Sequence, residues 1–128
     1  KKDKNMNILI TSYLLMMLLQ TWHILEEIGC GAYKVAHTLT KYLFAASVLV
    51  TINYVGFALI LNGSKTGYII GLFTSAVLAV GNGIVHIVGY IKTKQLRDSL
   101  GAGFFTGIPL AIVGGVVFYQ LINILFGG

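Results

Sequence analysis

The chain has 128 residues, 56% of them hydrophobic and only 10% charged, with a mean hydropathy of +0.84. That composition excludes an ordinary soluble domain and fits a single integral membrane domain over residues 1–128. Nine basic residues against four acidic ones give a net charge of +5. They sit at ends and loops with no basic stripe on a soluble face, which argues against nucleic acid and for lipid headgroups as the partner.

A helical crossing of the bilayer needs about 20 predominantly apolar residues. Four stretches qualify, at 7–28, 40–61, 67–91 and 104–126. The expected fold is therefore all-α, a polytopic four-transmembrane-helix bundle. An even number of spans puts both termini on one side. Lys1, Lys2, Lys4 and Lys65 then oppose Lys34, Lys41, Lys92, Lys94 and Arg97, four against five, so charge assigns no orientation.

The first segment is uncharged over 8–19 and then turns polar, ending on His23, Glu26 and Glu27. Offsets of three and four residues turn roughly −60° and +40° about a helix axis, so both carboxyls flank the imidazole on one face. Ionisable groups are costly in lipid and normally face a bundle interior, where they mark function. The bland alternative is a cap at the interface, its glutamates snorkelling to water. Glu26 and Glu27 stand where a signal-peptidase site needs small neutral residues, so the segment is expected to be retained. Gly29, Cys30 and Gly31 end this helix. Tyr33, Lys34 and His37 then serve as interfacial anchors on the way to Lys41, and Trp22 reads as a belt residue. Cys30, the single cysteine, allows no intrachain disulfide.

Asn53 lies near the middle of the second segment, where it can form a cavity floor or bond across helices. Asn62, Gly63 and Ser64 match a glycosylation sequon but fall in a turn too close to the membrane to be an acceptor. The third segment carries Asn82, His86 and Tyr90 at four-residue steps on one face, with Tyr90 also suited to the interfacial belt. Segments one and three run parallel, so this face meets the His23 cluster at the same end and a similar depth. Residues 92–99 read as a short loop at the headgroups. The fourth segment repeats Gly103, Gly107, Ala111 and Gly115, a small-residue stripe for close helix approach, either inside the bundle or in a homodimer.

The run His23, Ile24, Leu25, Glu26, Glu27 resembles the defining motif of the HXXEE family of small multi-helix membrane proteins. Asn82 and His86 match a second element of that family, an asparagine four residues before a histidine. A third element, a Tyr-x-Pro-Gly stretch leading into the last helix, is degraded: aligned on Gly103, its positions hold Leu100 and Ala102, while Pro109 fits a proline further along. The resemblance covers most of the chain and implies an enzyme without a settled reaction.

The residues themselves support an intramembrane enzyme acting on a lipid-like or hydrophobic small molecule that enters from the bilayer. His23, Glu26, Glu27 and His86 supply acid and base groups, with Asn53, Asn82 and Tyr90 as supporting or substrate-binding residues. The same four could hold a divalent metal, zinc or iron, with an open coordination position. Hydrolysis would follow with a metal and proton transfer or isomerisation without one. No HExxH or G-x-S-x-G motif is present. Alternatives of other classes are a proton- or cation-coupled transporter or channel and a haem protein ligated by His23 and His86, the latter disfavoured by the neighbouring glutamates. The expected location is a membrane, taken as a prokaryotic cytoplasmic membrane.

Overall fold

The computed structural model describes residues 2–127, with side chains from Asn5 onward. Lys1 and the side chains of Lys2 and Lys4, which enter the charge count, lie outside the described residues. The described chain is helical throughout: α1 (Lys2–Cys30), a short 3-10 turn (Ala32–Val35), α2 (Leu39–Leu61), α3 (Lys65–Phe73), a π-helical stretch (Thr74–Gly81), α4 (Asn82–Thr93) and α5 (Phe104–Phe126). From Lys65 to Thr93 the helix is continuous, so four helices are long and apolar enough to cross a membrane. The expected four-span helical architecture is thus observed.

One buried stripe organises α1. Leu9, Tyr13, Met16, Gln20, His23 and Glu27 are all buried, at alternating steps of four and three residues. That spacing keeps a single seam facing the bundle. Its first half is apolar and its second half is polar. Facing it, α5 presents Leu110, Val117 and Leu121, which join Leu9, Tyr13 and Met16 in the hydrophobic core. Large residues off the seam, such as Leu14, Leu15 and Leu18, are exposed, as lipid-facing residues must be.

The glycine stripe of α5 packs inside the bundle. A Cβ placed on Gly83 would lie 2.9 Å from that of Ala111, and one on Gly107 would lie 3.3 Å from the Gly83 carbonyl oxygen. Small residues on both helices therefore set how closely α4 and α5 approach. Further along, Gly114 rather than Gly115 makes the close approach, to Ala79 and the Ser75 carbonyl, while Gly115 has open space around it.

Within the third span, the hydroxyls of Thr74 and Ser75 donate to the carbonyls of Gly71 and Leu72, each at 3.1 Å. Backbone carbonyls are thereby engaged by side chains where the helix widens into the π stretch. Helix α2 packs on α3, to which it is joined by the turn at Asn62–Ser64, and parts from the later half of the third span. A cleft is left between them.

Candidate metal and active site

His23 and His86 each sit seven residues before the end of their helix, about 10 Å of rise. Both are buried, at 0% and 3% exposure, and their rings meet edge to face with centroids 4.7 Å apart. Glu27, also buried, lies between them: its Oε1 is 2.8 Å from His86 Nε2 and 3.9 Å from His23 Nε2. Its other oxygen accepts a hydrogen bond from the Tyr42 hydroxyl, in the first turn of α2. Burial on this scale rules out a snorkelled cap at the water surface.

Glu26 has a different job. Its carboxylate accepts from the backbone amides of Phe105 at 3.3 Å and Thr106 at 2.9 Å, and from the Thr106 hydroxyl. It caps the N-terminus of α5 from a neighbouring helix, where free amides and the helix dipole favour an anion. The residue at the cap position itself, Gly103, has no side chain to offer. At φ 99° a Cβ there would lie 2.8 Å from His23 Cε1 and 3.0 Å from His86 Nδ1. Only glycine lets the backbone adopt this conformation and lie directly on the two rings. The missing cap is supplied by Glu26.

The hydrogen bonds fix both imidazole tautomers. Thr106 spends its single hydroxyl proton on Glu26, so at 2.8 Å from His23 Nδ1 its oxygen must accept. His86 Nδ1 lies 2.8 Å from the Leu100 carbonyl, which can only accept. Both rings thus carry a proton on Nδ1, and both Nε2 atoms face Glu27. His23 Nε2 is buried with no hydrogen-bond partner. A buried nitrogen lone pair beside a carboxylate oxygen is an unfavourable pairing unless a cation lies between them.

The donor set fits a metal ion. His23, Glu27 and His86 offer ligand atoms within 4.8 Å of one another, a buried group able to hold one. Zinc binds nitrogen and oxygen at about 2.0–2.2 Å, so its ligand atoms need separations of up to roughly 4 Å. The separations of Glu27 Oε1 from the two Nε2 atoms, 2.8 and 3.9 Å, fall within that limit, and the whole set lies within 4.8 Å. Metal-binding histidines characteristically donate their other ring nitrogen to a fixed acceptor. Here Thr106 and the Leu100 carbonyl fill that role for the two rings, and Tyr42 does the equivalent for Glu27.

The loop between α4 and α5 closes the site. It carries Leu100 and Gly103, and Asp98 ties it to α1 by donating its backbone amide to the Cys30 carbonyl at 2.8 Å and to the following 3-10 turn by pairing with Lys34. Sequence reasoning placed this segment at the headgroups; it also folds over both imidazoles. On the other side a cavity of about 480 Å³ opens from Glu27 and Tyr42 along the cleft between α2 and the third span. His37, read from sequence as an interfacial anchor, is exposed and forms part of its wall.

The remaining expected site residues divide. Asn82 lines this cavity one turn from His86. Tyr90 does not join the cluster; it packs on Phe104 with centroids 4.4 Å apart and lies beneath the Lys94 ammonium. Asn53 is buried deeper in the bundle. It accepts from the Tyr13 hydroxyl at 2.8 Å and donates to Gln20 Oε1, and only Gln20 of this group reaches the cavity. Tyr42, Thr106, Gln20 and the Leu100 carbonyl were not anticipated. Two of them had a signal: spans two and four begin at the end where spans one and three finish, so polar side chains in their first turns belong to the same layer.

No family profile, curated protein or solved structure matches this chain.

Proposed function

We propose that the chain is an intramembrane enzyme in which His23, Glu27 and His86 hold one divalent metal ion, zinc or iron, and act on a hydrophobic small molecule drawn from the bilayer. The observation that carries this reading is the convergence of both Nε2 atoms on Glu27 Oε1, that of His23 buried without a hydrogen-bond partner, while the outward atoms of the three residues are already hydrogen-bonded. Two imidazoles and one carboxylate leave coordination positions free, as in hydrolytic zinc sites and oxygen-activating iron sites. Bound there, the ion supplies Lewis-acid polarisation of a substrate oxygen or of water. The protein's own part is positional. Thr106 and Leu100 hold the rings, Tyr42 holds the carboxylate and can exchange a proton with it, and the loop bearing Gly103 excludes water from one side. Hydrolysis is the reaction best served by this arrangement.

A metal-free reading has one observation in its favour. The 2.8 Å contact between Glu27 and His86 is also the length of an ordinary charge-assisted hydrogen bond. In that form the two residues share a proton and His23 Nε2 is the base, which suits proton transfer or isomerisation. Membership of the HXXEE family is part of the proposal, supported by the His23 to Glu27 run and by the meeting of its two motifs in one cluster.

Elemental analysis of protein purified in detergent without added metal separates the readings. About one zinc or iron per chain is expected, falling below a tenth in His86→Ala. Metal-free protein that also binds no zinc on titration would overturn the metal centre.

A further inference from the structure

A hydrogen-bonded chain runs through the bundle below the metal cluster. The Tyr13 hydroxyl donates to Asn53 Oδ1 at 2.8 Å, and Asn53 Nδ2 donates to Gln20 Oε1. Tyr13 has then used its only proton, so the Thr74 hydroxyl, 3.0 Å away, serves as the donor to it, sharing its proton with the Gly71 carbonyl. The donors follow one another in a single direction, from Thr74 on the third span to Tyr13 on α1, to Asn53 on α2 and back to Gln20 on α1. The last member is the Gln20 amide. Its oxygen is held by Asn53, and Gln20 borders the cavity. Its amino group is therefore the end of the chain that is left to face a ligand, and the bonds behind it prevent the amide from turning over. On α1, Gln20 is one turn from His23, so this donor stands on the same seam as the metal ligands.

Away from the polar end formed by Gln20, His23, Glu27, Tyr42 and Asn82, the cavity wall is largely apolar. Ala46 and Leu49 of α2 face Val77, Leu78 and Val85 of the third span. Val77 and Val85 are about half exposed, which places this wall at the lipid-facing side of the bundle. The volume, about 480 Å³, lies inside the roughly 300–1,000 Å³ range of small-ligand sites. That is room for one alkyl chain.

We propose that the substrate is a single-chain acyl ester or amide that enters from the bilayer between α2 and the third span, its chain along Leu49 and Val77 and its carbonyl oxygen received by the Gln20 amide. This rests on the reading of the cluster as a catalytic centre. Gln20 is a positioning residue: a carbonyl bound to it is held one helical turn from the ligand group, with Glu27 and Tyr42 beside it. An acyl chain without an acceptor oxygen would gain nothing from Gln20.

The test uses the protein in phosphatidylcholine vesicles with two photoactivatable probes, a methyl palmitate carrying a mid-chain diazirine and an alkane of equal length carrying the same group. The ester is expected to label the peptides containing Leu49 and Val77. Gln20→Met should reduce labelling by the ester about tenfold and leave the alkane unchanged. Ala46→Phe, which leaves the Gln20 to Asn53 bond intact, should reduce labelling by both. Equal ester labelling in wild type and Gln20→Met would overturn the assignment of Gln20. Labelling spread over outward positions such as Leu15 and Phe44, indifferent to Ala46→Phe, would overturn the cleft. Metal content is measured on the same samples: His86→Ala should lose metal and keep the ester labelling, so a failure of the metal centre and a failure of the acyl cleft give different results.

Discussion

Two buried polar clusters lie along one seam of α1, a helical turn apart, and they are satisfied differently. In the deeper one, Tyr13, Asn53, Thr74 and Gln20 bond to one another, and only the Gln20 amino group is left to face the cavity. In the shallower one the outer atoms of His23, Glu27 and His86 are bonded and His86 Nε2 meets Glu27 Oε1 at 2.8 Å, but His23 Nε2 is left without a partner. Among the described residues only Gln120 Oε1, on α5, shares that condition. The first cluster holds helices together. The second gathers three groups that could hold a metal ion.

The sharpest way to break this contrast is to remove an inner ligand. His23→Ala and Glu27→Gln should each abolish metal retention and turnover, with a fall of at least a hundredfold in zinc affinity. Glu27→Gln keeps the side-chain volume and should change the melting temperature in detergent little, whereas His23→Ala also removes a buried ring and its bond to Thr106 and should lower it. Unfolding of both variants would show that the cluster is structural like its neighbour. Gly103→Ala ranks close behind, since a Cβ at φ 99° would press on both rings. Metal affinity should drop there by more than tenfold, read by zinc titration against a chromophoric chelator.

Much of this was legible before the structure. Four spans follow from apolar length, and the parallel course of spans one and three brings His23 near His86. The alternating spacing of Leu9, Tyr13, Met16, Gln20, His23 and Glu27 even separates the two glutamates, because Glu26 falls off the seam that carries Glu27. Treating both acids as equivalent flanks of His23 passed over that difference. A bilateral offset describes an isolated helix, whereas the neighbour on each side decides the role: α4 lies against Glu27 and the start of α5 lies against Glu26. The covering loop was less legible still. Nothing in Lys92, Lys94 or Arg97 signals that Leu100 offers a carbonyl to His86, since a backbone acceptor has no sequence signature. The same holds for Asn53, whose type announces a hydrogen bond but not whether its partner lies in the site or below it.

Substitutions behind the ligands sharpen the comparison at intermediate size. Thr106→Val removes the acceptor of His23 Nδ1 and one partner of Glu26, and the loss of such a supporting bond typically costs 10- to 100-fold in metal affinity. Tyr42→Phe frees one oxygen of Glu27 and belongs to the same range. In the closed cluster the same kind of change should act on stability alone. Tyr13→Phe leaves the Asn53 carbonyl oxygen short of a donor, at a cost of about 1–2 kcal/mol by the range for interhelical bonds and unsatisfied groups. Thermal unfolding in detergent would register it while zinc stoichiometry stays constant. A change in metal affinity with Tyr13→Phe would mean that the two clusters are one.

The smallest effect is expected where polarity is most visible. Lys34 and Asp98 form a 2.8 Å ion pair, yet both side chains are more than half exposed. Water solvates such charges in either state, and exposed pairs contribute little. What attaches the loop to α1 is the backbone bond from Asp98 to Cys30, together with the burial of Ser99 and Ala102 beneath it. Lys34→Gln should therefore leave both the melting temperature and the metal affinity unchanged within measurement error. A clear loss of metal in that variant would relocate the closure of the site from buried backbone to an exposed salt bridge, and raising the salt concentration on the wild-type protein would then release metal as well.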